Sequence, residues 1–236
     1  MSLVAAPLSS NRALLAFIKS SLHAVSSWSS PRPLNFKPPL ATFTLLCMGL
    51  VLFGLGEALL IKAGVGVSPW TVFSQGVANV SGLSIGVSTF FIGIGVLLLL
   101  IPLRQIPGLG TLLNILIIST VLELSLPYLP TASTLVAGIL QTFFGVLVVG
   151  LGSGIYLVAN LGAGPRDGVM KGLQRATNLP IAVVRMSIEL TVVAVGWSLG
   201  GVAGLGTLIF AVFIGPAVSI GLYSVGRLAG SVANHD

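Results

Sequence analysis

The sequence predicts an all-α integral membrane protein: six transmembrane helices from two inverted-topology three-helix repeats, each with a short half-helix that starts at a proline. Three observations carry this. Only 7% of the 236 residues are charged and 55% are hydrophobic, whereas about a quarter of a soluble domain is charged. Six apolar runs, at 40–63, 83–103, 109–127, 135–159, 181–199 and 205–226, approach the ~20 residues a bilayer needs. Residues 49–124 align with 145–220 at a constant offset of 96 without a gap, and 20 of the 76 pairs are identical, against about seven expected from composition alone.

Residues 1–39 differ in kind from the rest. They are rich in Ser and Pro, lack acids, and carry Arg12, Lys19, Arg32 and Lys37. Leu14, Leu15, Ile18, Leu22 and Val25 fall at helical spacing, which suits a short amphipathic helix on the membrane surface. The acid-free start also has the composition of a transit peptide, but Pro31, Pro33, Pro38 and Pro39 suit a linker better, so a cytoplasmic N-terminal tail is expected. The first repeat follows at 40–130, the second, inverted, at 131–228, and a cytoplasmic tail at 229–236.

Within each repeat the first two spans are separated by about a dozen residues, too few to cross: Pro69 to Val80, and Pro165 to Ala176. Both pieces are helix starts. Gly-rich backbone turns sharply before each, proline at the first helical position loses no bond, and Ser68 or Gly164 sits at the cap. Three crossings per unit bring the second unit in from the opposite side. With the N-terminus inside, Arg12, Lys19, Arg32, Lys37, Arg104, Arg166, Lys171, Arg175 and Arg227 fall on the cytoplasmic side, Lys62 alone outside, and Arg185 within the fifth span. The positive-inside rule therefore puts both termini in the cytoplasm.

A helix start offers unpaired N–H donors and about half a positive charge, so it suits an anion. Two such starts dipping in from opposite faces would meet near the midplane, the arrangement by which inverted-repeat transporters hold solute. Ser68, Pro69, Trp70, Gly164, Pro165, Arg166 and Asp167 are thus the candidate substrate residues. The competing reading lays both helices flat in the interface, with Arg166, Lys171 and Arg175 at headgroups. Ionisable groups inside spans are costly unless paired, which singles out Glu57, Glu123, Arg185 and Glu189. Arg185 and Glu189, four apart, can pair on one helix face; Glu57 and Glu189 are the candidate proton carriers. Asn114 and Gln75 either line a cavity or bond between helices. Glycines 49, 54, 56, 145, 150, 152 and 154 let helices approach closely.

Other chemistries find little here. The single cysteine, Cys47, excludes a disulfide framework or Cys-rich metal site. His23 and His235 lie in opposite tails, so no metal, cofactor or catalytic residue is expected, and the basic residues form no nucleic-acid surface. The expected function is transport or export of a small polar or anionic solute. A non-transporting membrane partner, regulatory or scaffolding, with the Arg166/Lys171/Arg175 face for docking, is the alternative, and a homodimer or a membrane-protein partner is compatible with either.

The motifs Gly162-Ala163-Gly164-Pro165-Arg166-Asp167-Gly168, Val184-Arg185…Glu189 and Gly204-Leu205-Gly206-Thr207…Ile214-Gly215-Pro216 resemble the bacterial YczE/YyaS/YitT membrane proteins, nearest to the YczE branch. Gly66-Val67-Ser68-Pro69-Trp70 and Gly108-Leu109-Gly110-Thr111 extend the likeness to roughly 40–226. The resemblance implies a small multi-pass protein of the bacterial inner membrane and carries no activity with it.

Overall fold

Eight helices arise in the described part of the chain, because apolar runs in lipid must bond their own backbone. The structure, a computed structural model, describes residues 29, 30, 32 and 34–233, with side chains to 225. The amphipathic stretch expected at 14–25, both histidines and the basic residues Arg12 and Lys19 lie outside it. The helices are α1 (Leu40–Ala63), α2 (Pro69–Ser81), α3 (Ile85–Leu99), α4 (Leu109–Ser125), α5 (Leu135–Val158), α6 (Pro165–Thr177), α7 (Ile181–Ser198) and α8 (Leu205–Ala233). No strand occurs among the described residues.

Four of them, α1, α5, α7 and α8, are long and apolar enough to cross a membrane. The pair α2 and α3, bent by 111°, passes the same test together. The runs expected at 83–103 and 109–127 fold as shorter helices of 15 and 17 residues. Ser84 caps α3 by accepting from the Val87 N–H at 3.3 Å, and Pro102 and Pro107, which lack a donor, keep 100–108 from continuing either helix. At the other end of the chain α8 runs through the expected boundary at 228 to Ala233, with Pro216 inside it. Large apolar side chains such as Phe91, Leu99, Leu140, Phe144, Met186, Leu190 and Leu208 remain exposed on the outer faces, as a lipid-facing surface requires.

The two long helices α1 and α5 form the centre and run antiparallel. A Cβ on Gly49 would lie 2.6 Å from the Tyr156 nitrogen and 2.7 Å from the Gly152 oxygen; one on Gly56 would lie 2.8 Å from the Val149 nitrogen and 2.9 Å from the Gly145 oxygen. Only glycine permits such approach, and close backbone packing replaces the hydrophobic force that lipid cannot supply. Leu46, Leu50, Leu60, Val146 and Val149 fill the flanks and are fully buried.

Equivalent positions of the two halves behave alike. The described residues with left-handed backbone are Gly64 and Asn160, Gly66 and Gly162, Gly82 and Asn178, Arg104 and Gly200, each pair 96 positions apart. Contacts are also exchanged reciprocally. The Gly110 N–H donates to the Leu161 carbonyl at 2.7 Å, and the Gly206 N–H donates to the Val65 carbonyl at 2.8 Å. A Cβ on Gly76 would approach Leu199 to 2.9 Å, and one on Gly172 would approach Leu103 to 2.7 Å. Each short helix therefore packs against the other half's chain just past the end of α7 or α3.

Candidate functional site

The site begins with the turns that aim the two short helices. After α1 the chain reverses through Gly64 and Gly66, at φ 70° and 117°; after α5 it reverses through Asn160 and Gly162, at φ 51° and 109°. Glycine is needed at 66 and 162 for space as well as conformation: a Cβ there would lie 2.7 Å from the Gly204 nitrogen and 2.9 Å from the Gly108 Cα, respectively. These reversals carry Pro69 and Pro165 back into the bundle, where both are buried.

Neither start has a side-chain cap. Ser68, expected as a cap, donates its hydroxyl to Glu57 Oε2 at 2.8 Å, and Thr71 donates to the same oxygen at 2.7 Å. Glu57 is only 2% exposed. Its other oxygen, Oε1, is buried without a hydrogen-bond partner, an expensive state in a low-dielectric interior. The second half distributes the same groups differently. Ser153 stands where Glu57 would, Gly164 where Ser68 would, and the carboxylate appears as Asp167 in place of Thr71. Asp167 Oδ2 and the Tyr156 hydroxyl stand together beside Gly164, 3.5 and 3.6 Å from where its Cβ would be.

Trp70 and Arg166, equivalent residues of the two halves, meet. The Arg166 guanidinium carbon lies 4.9 Å from the Trp70 ring centroid, within cation–π distance. Arg166, grouped by sequence with the cytoplasmic charges, therefore lies against the bundle interior. The short helix α2 buries Pro69, Trp70, Thr71, Val72, Ser74, Gln75, Gly76 and Ala78, whereas α6 buries Pro165, Val169, Met170 and Gly172.

Beside this contact is a cavity of about 200 Å³. Gly164, Pro165, Arg166, Asp167, Trp70, Arg185 and Glu189 line it, joined by Asn114, Tyr156 and Ser153. Arg185 Nε donates to Glu189 Oε1 at 2.8 Å, the pair the sequence spacing predicted. Glu57 does not line the cavity; it lies behind Ser68 and Thr71. A second cavity, about 370 Å³, shares Gly164 and is lined by Arg32, Gln105, Thr111 and Lys171. Beside it the chain before α1 is pinned to the turn after α5: Ser29 Oγ donates to the Val158 carbonyl at 2.6 Å and Asn160 Nδ2 to the Ser30 carbonyl at 2.8 Å.

Of the other polar candidates, Asn114 lines the cavity, whereas Gln75 Oε1 accepts the Val202 N–H at 3.0 Å and joins α2 to the turn before α8. Glu123 Oε2 accepts the Gly86 N–H at 3.0 Å and so serves the start of α3. Sequence reasoning did not single out Thr71 or Tyr156. The repeat held the signal for Thr71, since its equivalent is Asp167; Tyr156 aligns with Leu60 and carried none.

Long apolar helices packed through glycine, apolar outer faces and ionisable groups gathered at an inner cavity define a multi-pass membrane protein. Comparison with known proteins agrees. The family of unknown function DUF6198 matches residues 40–222. The chain is 42% identical over 187 residues to an "Uncharacterized protein" of Haemophilus influenzae, covering 79% of this chain and 86% of that one. It is 33% identical over 177 residues to the "Uncharacterized membrane protein YczE" of Bacillus subtilis, covering 73% and 81%. The chain belongs to this family of YczE-like membrane proteins. No solved structure matches it.

Proposed function

We propose that the chain is a secondary transporter or exporter of a small polar or anionic solute, set in the bacterial cytoplasmic membrane with both termini inside. In this reading α1, α3 and α4 form one three-span unit, α5, α7 and α8 its inverted copy, and α2 and α6 are half-helices from opposite faces. The contact of Trp70 with Arg166 carries the reading. Equivalent residues of two halves touch each other only near the axis that relates the halves, so both helix starts converge there. The antiparallel packing of α1 on α5 supports inversion: an axis relating two antiparallel crossings lies in the bilayer plane.

The mechanism follows from that geometry. The donor-rich start of α6 and the Arg166 guanidinium hold the solute. Rocking of one unit against the other opens the cavity to alternate sides. The larger cavity at Arg32 and Lys171, sharing Gly164, serves as the cytoplasmic approach. Glu57, linked to the tip of α2 through Ser68 and Thr71, or Glu189, takes up the coupling proton. No residue is assigned to catalysis. An inner cavity lined by charged groups favours transport over a solidly packed docking partner.

Reconstitution in liposomes tests this. Wild-type protein is expected to accumulate at least one of a panel of labelled small solutes (amino acids, lactate, phosphate, nucleotides). Arg166→Ala and Glu189→Gln proteins, inserted to the same level, are expected to lose that flux. Wild-type rates in both variants would reject these residue assignments, and no flux of any solute by the wild type would reject transport.

A further inference from the structure

The charges around the inner cavity bear on what it holds. Arg166 and Arg185 bring two positive charges to its wall, Asp167 and Glu189 two negative ones; behind the wall Glu57 acts on Arg166 and Lys171 on Asp167, one further charge of each sign. That balance disfavours a solute with net charge, which would leave one sign in excess among these groups, but suits a solute with one end of each sign.

Both ends find partners. Among the described residues Arg166 has no carboxylate within salt-bridge distance; its guanidinium stacks on Trp70, and its planar fork suits a carboxylate. Asn114 Nδ2 lies 3.5 Å from where a Gly164 Cβ would stand, beside Asp167 Oδ2 at 3.5 Å and the Tyr156 hydroxyl at 3.6 Å. Glu189 already accepts from Arg185 and the Tyr156 hydroxyl stands near Asp167, but an ionised carboxylate accepts about four hydrogen bonds, so both can still receive an ammonium group. Other parts of the wall are apolar: Phe53, Ile118, Val149, Phe210 and Ile214. At about 200 Å³ the space is below the ~300–1,000 Å³ of drug-sized sites.

We propose that the solute is a small zwitterion with an apolar tail, an α-amino acid of the leucine or methionine kind, its carboxylate on Arg166 and Asn114 and its ammonium between Asp167 and Glu189. This rests on the transport reading and narrows its solute class.

The full chain in lipid nanodiscs is titrated with L-leucine and L-methionine, with 4-methylpentanoate, which is leucine without the ammonium, and with 3-methylbutylamine, which is leucine without the carboxylate. The readout is the thermal midpoint, since a ligand stabilises the state it binds. Leucine or methionine is expected to raise the midpoint, with each one-ended analogue binding at least about tenfold more weakly. Asp167→Asn is expected to weaken leucine by a similar factor while 4-methylpentanoate binds no more weakly than to the wild type. If 4-methylpentanoate binds as well as leucine, the zwitterion is rejected and transport of an anion stands. If neither leucine nor methionine shifts the midpoint, the inference fails, and the liposome flux of other solutes decides the transport reading separately. The wild-type ratios hold even if a variant does not fold.

Discussion

Glu57 shows how one side chain links a span to a broken helix. Its Oε2 accepts two hydroxyls, from Ser68 and Thr71, which themselves lie 3.0 Å apart. All three groups are nearly fully buried, so both hydroxyls depend on Glu57 Oε2 as their acceptor. Glu57→Gln keeps an acceptor for both hydroxyls, and its thermal midpoint in detergent is expected to stay close to wild type. Glu57→Ala leaves two buried hydroxyls without their acceptor and a void in the α1–α2 contact, and should lose about 2–5 kcal/mol. A matched midpoint for Gln and a lowered one for Ala would establish the hydrogen-bonding role. If both variants were equally stable, the cluster would contribute nothing to the fold.

At the scale of elements, glycine position decides which helices may touch. A Cβ at Gly56 would lie 2.6 Å from the Val149 side chain and 2.8 Å from its backbone nitrogen, whereas one at Gly95 in α3 would meet nothing within 4 Å. Gly56→Val therefore forces α1 and α5 apart and is expected to cost about 3 kcal/mol or more. Gly95→Ala is expected to be neutral or to gain up to about 1 kcal/mol from helix propensity. Unfolding midpoints of the two variants in one detergent check both. The same reasoning accounts for the sequence stripe of small residues, since Gly150 and Gly154 face Ala217 and Gly221 of α8. What periodicity could not supply was the length of α3 and α4. Their apolar composition continues past both ends, and the stops come from Ser84 and from prolines whose effect depends on the turn that forms around them.

The relation between the halves belongs to the whole molecule. In the inverted arrangement proposed above, Gly82 and Asn178, the left-handed residues ending α2 and α6, face opposite compartments. Single cysteines at these positions in a Cys47→Ala background should react with a membrane-impermeant maleimide from opposite sides, position 178 from the cytoplasm. Labelling of both from one side would remove the inverted arrangement, and with it the convergence of the two starts as a transport site. Much of the site was legible in the sequence: the duplication pointed to Pro69 and Pro165 and to Trp70 and Arg166, and four-residue spacing to the Arg185–Glu189 pair. The sequence did not say that Glu57 would serve the tip of α2 rather than the cavity wall, because that depends on which rotation the reversal at Gly64–Gly66 imposes.

By itself the sequence determined that the chain is helical, that it lives in lipid, and that its halves are copies with a proline-started helix in each. Those properties follow from composition and periodicity, which act locally along the chain. Only the tertiary structure decided that Trp70 meets Arg166, that Tyr156 and Asp167 stand together beside Gly164, and that four charges of balanced sign share one cavity. Such contacts join residues about a hundred positions apart or bring separate helix faces together, and they exist only once backbones packed on glycine have fixed the distance between the helices.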